Sequence, residues 1–348
     1  MRFGIPRESE SRGYLREGRV GLTPAGVREL TEQNISVFVE NKAGINSGYT
    51  NDNYSEEGAK IVYSTQELYG RSDVILKIKR PTEKELDFIP QNCMICAFWH
   101  LVTAPKDYIE KLMKKGITAF GYELYESKPN YRPILASQSK IAGRLTSQIA
   151  GKLLESGSNS FGKLLGGIPG IPPADVVIIG AGTLGSYAAE SLSGAGATVH
   201  LLDKNADRLE YVSHFMNGRI ITSVATKHAI ERYIKFADVV VLSVLVPGDI
   251  PPIIIDKQMA RRMRRGTVVI DFAIDQGGAT EVTRARGAHI DPFVEDGITY
   301  LSIPNAPAMV SRTTSKALTL AIIPILRSAA DLKDKLYHAC YIYNGRRL

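Results

Sequence analysis

A short apolar run that ends in glycines and passes straight into a helix is the feature that most narrows what this chain can fold into. The segment is VVIIGAGTLGSYAAESLSGAGATVHLLDKN, residues 176–205. Its glycines fall at Gly180, Gly182 and Gly185. Gly180 permits a tight strand-to-helix turn, Gly182 lets a backbone come close to a pyrophosphate, and Gly185 lets helix and strand pack closely. Thr183 and Leu184 complete the loop and open the helix, whose free N–H groups and dipole favour an anion. A second strand-like run, 198–202, ends in Asp203, at the distance where a carboxylate accepts from the hydroxyls of an adenosine ribose. Glycines alone could punctuate any such turn; strand, helix, second strand and acid in this order make a dinucleotide site. Asp203 would repel a 2′-phosphate and favours NAD, whereas the nearby cations Lys204 and Arg208 could accept a phosphate and pull the other way. Arg208 thereby counts among the cofactor-binding candidates.

The same alternation extends beyond this unit. Strand-like runs stand at 2–5, 36–40, 74–79, 94–99 and 117–122, with helices opening at Thr23-Pro24 and near 108–115. Thr23 suits an N-cap and Pro24 the first helical position. Such alternation predicts parallel sheets with helices on both faces. At 348 residues the chain suits two domains rather than one. A long helical pattern over 138–155 reads as a connector, and the Ser-, Gly- and Pro-rich stretch 157–173 leads into the second series. An apolar-periodic segment over 313–331, containing Pro324, returns the chain to the first domain. The expected fold is α/β, with two Rossmann-like domains joined by long helices around a hinged cleft. A substrate domain takes 1–135 plus 310–348, and a nucleotide-binding domain takes 136–309.

Composition narrows the function classes. The chain carries 43 Lys and Arg against 36 Asp and Glu, a formal charge of +7. These charges are dispersed. The densest run, Arg261, Arg262, Arg264 and Arg265, follows an amphipathic helix, where a solvated helix end explains it. Nucleic-acid binding is therefore not expected, and the excess charge suits small anions such as a dinucleotide and a carboxylate. The opening residues MRFGIPRE form no apolar signal core, and no run reaches the roughly 20 apolar residues of a membrane span. A cytoplasmic protein without a membrane partner is expected. Cys93 and Cys96 form a C-x-x-C, but on a buried strand that spacing sends the sulfurs to opposite faces, and Cys340 is remote. Packing is expected of them, not a disulfide or a metal site.

Other motifs are more specific. LLGGIPGIPPADVVIIGAGTLGSYAA, SVLVPGDIPP and TVVIDFAIDQGGATEVTR are joined by MRFGIPRE, EGRVGLTPAGVREL, VILKIKRP, AFWHL, ILASQSKIAGR and IPNAPAMVSRTTSKALT. Together they span nearly the whole chain and resemble the alanine dehydrogenase and pyridine-nucleotide transhydrogenase family. The resemblance implies two Rossmann-like domains and a homo-oligomer, a hexamer or a dimer. It implies interconversion of L-alanine and pyruvate or, as in transhydrogenases, nucleotide binding without amino-acid chemistry.

The resemblance also implies roles for single residues. Arg19 in EGRV and Lys79 in LKIKRP would clamp a substrate carboxylate, arginine through its planar fork and lysine as a point charge. The residues themselves add that Lys77 and Lys79 share one face at the end of a parallel strand, the edge where such sheets bind ligands, although surface lysines are the commoner use of that pattern. His100 after MICAFW resembles the family's acid–base histidine, and Asp275 in DFAIDQGG its second catalytic residue, while Asp271 reads as structural. Ser139, Val244, Leu245, Arg284 and the segment Ile303-Pro304-Asn305-Ala306 match positions that cradle the cofactor. In that chemistry NAD takes a hydride from the substrate α-carbon, water attacks the resulting iminium, and His100 and Asp275 shuttle protons.

Departures from the family pattern concern the substrate. The loop RESESRGYLREGRV is longer and adds Tyr14 and Arg16, Gln138 stands where methionine is usual, Trp99 replaces an aliphatic residue, and Lys140 replaces an acid. A buried amide without a partner is costly, so Gln138 points to a substrate side chain more polar or larger than methyl, or to an amino acid as the amine; if instead it turns away and bonds to backbone or water, alanine remains the substrate. An opine-type reductase joining a 2-oxo acid to an amino-acid amine is thus a second reading, toward which IPNAPAMVSR leans. A third is a non-catalytic nucleotide-binding subunit; the joint presence of Arg19, Lys79, His100 and Asp275 argues against it.

Overall fold

The computed structural model describes residues 1–8, 17–158, 160–246, 249–327, 332 and 336–348. The chain divides into two compact units. One holds the described residues of 1–138 and 308–348, and the other holds those of 139–307.

The first unit contributes β1 (Arg2–Ile5), β2 (Ser36–Glu40), β3 (Lys60–Val62), β4 (Val74–Lys79), β5 (Met94–Phe98) and β6 (Thr118–Gly121). The second contributes β7 (Asp175–Ile179), β8 (Thr198–Asp203), β9 (Ile221–Val224), β10 (Val239–Leu242), β11 (Val268–Asp271), β12 (His289–Glu295) and β13 (Ile298–Ser302). The chain then adds β14 (Cys340–Tyr343) and β15 (Arg346–Arg347) to the first sheet. The orders are β15-β14-β6-β5-β4-β1-β2-β3 and β12-β13-β11-β10-β7-β8-β9. Both sheets are mostly parallel, with β14 and β15 antiparallel at one edge of the first and β12 at an edge of the second. In each, the chain winds outward from a first strand and then restarts on its other side, between β1 and β4 and between β7 and β10. Ligands of open parallel sheets gather outside the carboxyl ends at such reversals.

The strands are apolar along their length because helices cover both faces. VILKIK of β4 is buried from Val74 to Ile78, and DVVII of β7 from Val176 onward. The helices are α1 (Pro24–Thr31), α2 (Asn51–Glu56), α3 (Thr65–Arg71), α4 (Glu83–Phe88), α5 (Lys106–Lys114), α6 (Pro133–Leu153), α7 (Thr183–Gly194), α8 (Ala206–Phe215), α9 (Lys227–Ile234), α10 (Lys257–Ala260), α11 (Glu281–Arg286) and α12 (Ser311–Leu326). Of these, α2 to α4 are six or seven residues long and carry too few turns for a periodic pattern to stand out. Thr50, Ser64 and Thr82 cap them by accepting from backbone N–H groups. Thr23 does not cap α1 with its side chain, contrary to expectation. Its N–H instead donates to Thr319 Oγ1 at 3.0 Å, tying α1 to α12. Cys96 packs with Phe3, Ile5 and Leu76 on one face of the first sheet, and Cys93 with Ile75, Ile95 and Trp99 on the other; both are buried. Arg261 pairs with Asp296 and Arg262 with Glu231. Among the described residues no helix is long and apolar enough to cross a membrane.

Candidate functional site

In the second unit the glycine loop follows β7 and opens α7. Gly180 has φ 109°, and a Cβ there would lie 2.8 Å from the Ser243 carbonyl oxygen. A Cβ on Gly185 would lie 1.8 Å from the Gly180 carbonyl oxygen, so helix and strand could not approach as they do. At Gly182 a Cβ would meet nothing within 4 Å. Gly182 is the N-cap residue of α7 and supplies no side-chain cap, so Thr183 and Leu184 begin a helix whose first N–H groups have no partner within the helix. A backbone cradle open at the middle glycine and closed at the other two fits a bound pyrophosphate.

Asp203 ends β8. Its Oδ2 accepts from Ala181 N at 2.6 Å and its Oδ1 from Asn205 N at 2.8 Å, which ties the acid to the loop and leaves further acceptor capacity on both oxygens. Arg208 turns onto the same loop, donating to the Ala181 carbonyl from Nη2 at 2.8 Å, with its guanidinium over the Tyr211 ring. Across the reversal, the Ser243 hydroxyl donates to the Gly180 carbonyl at 2.8 Å, a brace that the serine of SVLVPG could have suggested. Val244 packs partly against the unit's core, Leu245 is exposed, and Ser139 is half-buried on α6. Arg284 is occupied as a loop staple, donating to the carbonyls of Pro251 and Gly278 at 2.5 and 2.7 Å. Asp275 Oδ2 accepts from Asn305 N at 2.9 Å and holds Asn305 at φ 58°. Asp271 is wholly buried and accepts from Ala273 N, Ala279 N and the Thr283 hydroxyl. Burial pushes its carboxyl above the usual range despite those donors.

In the first unit Arg19 is 3% exposed and already holds a protein carboxylate. Nε and Nη2 donate to Glu17 Oε1 and Oε2, each at 2.8 Å, and Nη1 donates to Gln138 Oε1 at 3.0 Å. Of the five guanidinium donors, two N–H groups remain without a partner among the described residues. Lys79 Nζ stands 3.7 Å from Glu17 Oε2. Burial alone would raise the Glu17 carboxyl, but the charge and hydrogen bonds of Arg19 outweigh it and hold the group below the usual range.

Several expectations are corrected here. The Gln138 amide finds its partners inside the protein, Oε1 with Arg19 and Nε2 donating to Ser137 Oγ at 3.1 Å. Trp99 is fully buried and its indole N–H donates to the Phe120 carbonyl at 2.9 Å, which makes it core. Lys77 is no surface lysine: at 0% exposure it donates to Glu85 Oε1 at 2.8 Å and stands 3.5 Å from Glu8 Oε2. Lys140 lies over the Tyr187 ring. Tyr14 and Arg16 lie outside the described residues.

His100 follows β5 with φ 44° and ψ 49°. Its ring is near-parallel to that of Phe98, with centroids 6.3 Å apart. The sequence motifs point to none of Glu8, Glu17, Glu85 and Glu123 as a site residue. Each is a buried carboxylate beside a residue that the motifs did single out. Among the described residues no group of three or more His, Cys, Asp or Glu could hold a metal ion.

Comparison with known proteins places this geometry in context. Residues 4–142 match the N-terminal domain described as alanine dehydrogenase/PNT, and residues 146–342 match its C-terminal domain. Alanine dehydrogenase 2 of Staphylococcus aureus strain Mu50 is 35% identical over 345 residues, 99% of this chain and 90% of that protein. A solved L-alanine dehydrogenase superposes with a TM-score of 0.90 at 32% identity, covering 100% of this chain and 97% of that one. A transhydrogenase from Sinorhizobium meliloti shares the fold, with a TM-score of 0.82 at 22% identity over 100% of this chain and 99% of that one.

Proposed function

Because the chain belongs to the alanine dehydrogenase/PNT family, we propose that it is an NAD-dependent dehydrogenase interconverting L-alanine, or a near relative with a small side chain, and its 2-oxo acid plus ammonia. The observation that carries this reading is the cluster of Arg19, Lys79 and Glu17. Two cations close to one another and two guanidinium N–H groups of Arg19 without a partner among the described residues suit a substrate carboxylate. Glu17 holds the guanidinium plane, so the substrate meets donors already oriented. Gln138 is engaged by Arg19 and Ser137, which removes the reason to require a polar substrate side chain and favours alanine over an amino-acid amine.

Asp203 beside the glycine loop, with Arg208 engaged by a backbone carbonyl, supports NAD over NADP. When bound, NAD supplies the acceptor for the hydride of the substrate α-carbon. His100 holds or moves a proton at its imidazole nitrogens. Asp275 does so at Oδ1, its Oδ2 being engaged by Asn305. Assembly into a homo-oligomer belongs to the same reading and is measured by light scattering of the purified protein.

Initial rates of NADH oxidation with pyruvate and ammonium test the assignment. His100→Ala and Asp275→Asn are expected each to lower kcat by about 10²-fold or more while NADH affinity stays nearly unchanged. Arg19→Ala is expected mainly to raise the pyruvate KM. Near-normal turnover of His100→Ala would remove that residue from the proton transfers, and an unchanged KM in Arg19→Ala would remove the clamp.

A further inference from the structure

We propose that Glu123, steadied by Tyr341 of β14, is a positioning residue that holds His100 in its left-handed backbone conformation. The proposal rests on the reading of His100 as a proton-transfer group. A residue other than glycine is uncommon at positive φ, although histidine is found there more often than most, and at φ 44° His100 gains from contacts that hold it.

The imposing contacts converge on two peptide units at the end of β5. Glu123 Oε1 accepts from Trp99 N at 3.0 Å and from His100 N at 2.8 Å. It also accepts from the Tyr341 hydroxyl at 3.2 Å. From the opposite side Arg80 Nη1 donates to the carbonyls of Trp99 and His100 at 3.2 and 3.1 Å. Consecutive N–H groups are thus gathered by a carboxylate and consecutive C=O groups by a guanidinium.

Glu123 stands just beyond β6, which pairs with β5 on one side and with β14 on the other. This placement lets one side chain reach both the His100 turn and Tyr341. Glu123 is 5% exposed, and its Oε2 is buried without a hydrogen-bond partner among the described residues. A buried acceptor left unmatched is costly, and a neutral side chain could accept the same backbone bonds. Here that cost falls on the residue gripping the turn that carries the candidate acid–base group. The backbone held in this way carries the imidazole, whose ring lies near-parallel to that of Phe98.

The test combines amide hydrogen exchange over residues 98–104 with steady-state kinetics of the full chain carrying Glu123→Ala, Glu123→Gln or Tyr341→Phe. Glutamine keeps an oxygen acceptor and alanine does not. Glu123→Ala is expected to lower kcat by about 10²-fold, the scale of a misplaced reacting group, with NADH affinity within about twofold. It should also speed exchange at Trp99 and His100 by about tenfold. Glu123→Gln should restore both to within about fivefold of the parent, because it rescues the two backbone bonds. In a His100→Ala background, removing Glu123 should cost no further activity, the signature of one residue acting through another.

Unchanged exchange at Trp99 and His100 in Glu123→Ala would overturn the proposal. So would equal losses in the alanine and glutamine variants, or effects of Glu123→Ala and His100→Ala that multiply. Should Glu123→Ala not fold, Tyr341→Phe carries the test. Faster exchange with a lower kcat then supports the proposal, and no change in either contradicts it. Faster exchange in Glu123→Ala alongside a fully active His100→Ala would leave the positioning in place and reject the chemistry assigned to His100.

Discussion

Gln138 Oε1 takes one N–H of a buried guanidinium, and no other side-chain acceptor besides Glu17 is bonded to Arg19 among the described residues. Replacing this amide with methionine leaves a charged donor unpaired at a cost of about 1–3 kcal/mol. Gln138→Met is therefore expected to raise the pyruvate KM about tenfold while leaving the ranking of 2-oxo acids unchanged. A ranking that shifts toward bulkier apolar oxo acids would show that Gln138 lines the side-chain pocket instead. The residue's burial and polarity were legible from its place on a helix beside candidate site residues, but its partner was not. Arg19 and Gln138 are 119 positions apart, and nothing local to either announces the other. The same holds for Glu8, whose carboxylate accepts from Ile78 N at a separation of 70 residues. Glu17 was closer to hand: two positions before Arg19 in EGRV, it reads as a neighbour, yet only the folded turn makes it a bidentate partner.

At the scale of elements, the glycine loop makes opposite demands at positions three residues apart. A methyl group on Gly185 would collide with the Gly180 carbonyl oxygen at 1.8 Å, whereas one on Gly182 would project into open space. Gly185→Ala is expected to lower the melting temperature by several degrees, since backbone must move to admit it. Gly182→Ala should fold like the parent and bind NADH at least about tenfold more weakly, because its methyl occupies the approach of the pyrophosphate. Calorimetry and NADH titration of the two variants check both halves; a Gly182→Ala protein with parental NADH affinity would place the pyrophosphate elsewhere. This loop was legible because its constraints act between residues a few positions apart. The long helices and the apolar parallel strands were legible for a related reason: length and continuous apolar character leave few alternatives. The short helices α2 to α4 and the edge strand β3 were not, because three to seven residues carry too little periodicity and are fixed by caps and by neighbouring strands.

At the scale of the whole molecule, the first unit buries an ion network behind its candidate carboxylate clamp. Lys77 lies between Glu8 and Glu85, with the Tyr69 hydroxyl donating to Glu85 at 2.8 Å. Removing the cation strands two buried carboxylates, and breaking a buried pair costs about 3–5 kcal/mol. Lys77→Met is therefore expected to lower the urea midpoint markedly at neutral pH. Burial alone would raise Glu85, but Lys77 outweighs it and holds the carboxyl below its ordinary value of 4.5. A lowered carboxyl contributes stability that is present above that value and lost as pH falls through the folded one. Burial raises Glu8, whose contribution runs the opposite way, present at low pH and lost as pH rises. Without Lys77 the Glu85 contribution disappears, so the stability gap between parent and Lys77→Met should narrow on acidification below about pH 4.5; a gap that widens would contradict the network's assignment. The proposed turnover is reached most directly by kcat/KM for NADH oxidation with pyruvate and ammonium, set against pyruvate with lysine, ornithine or arginine as the amine. Ammonium is expected to be preferred by about tenfold or more, the scale on which a binding site discriminates among related small substrates. Turnover that requires an amino-acid amine, or no turnover with ammonium at all, would contradict it.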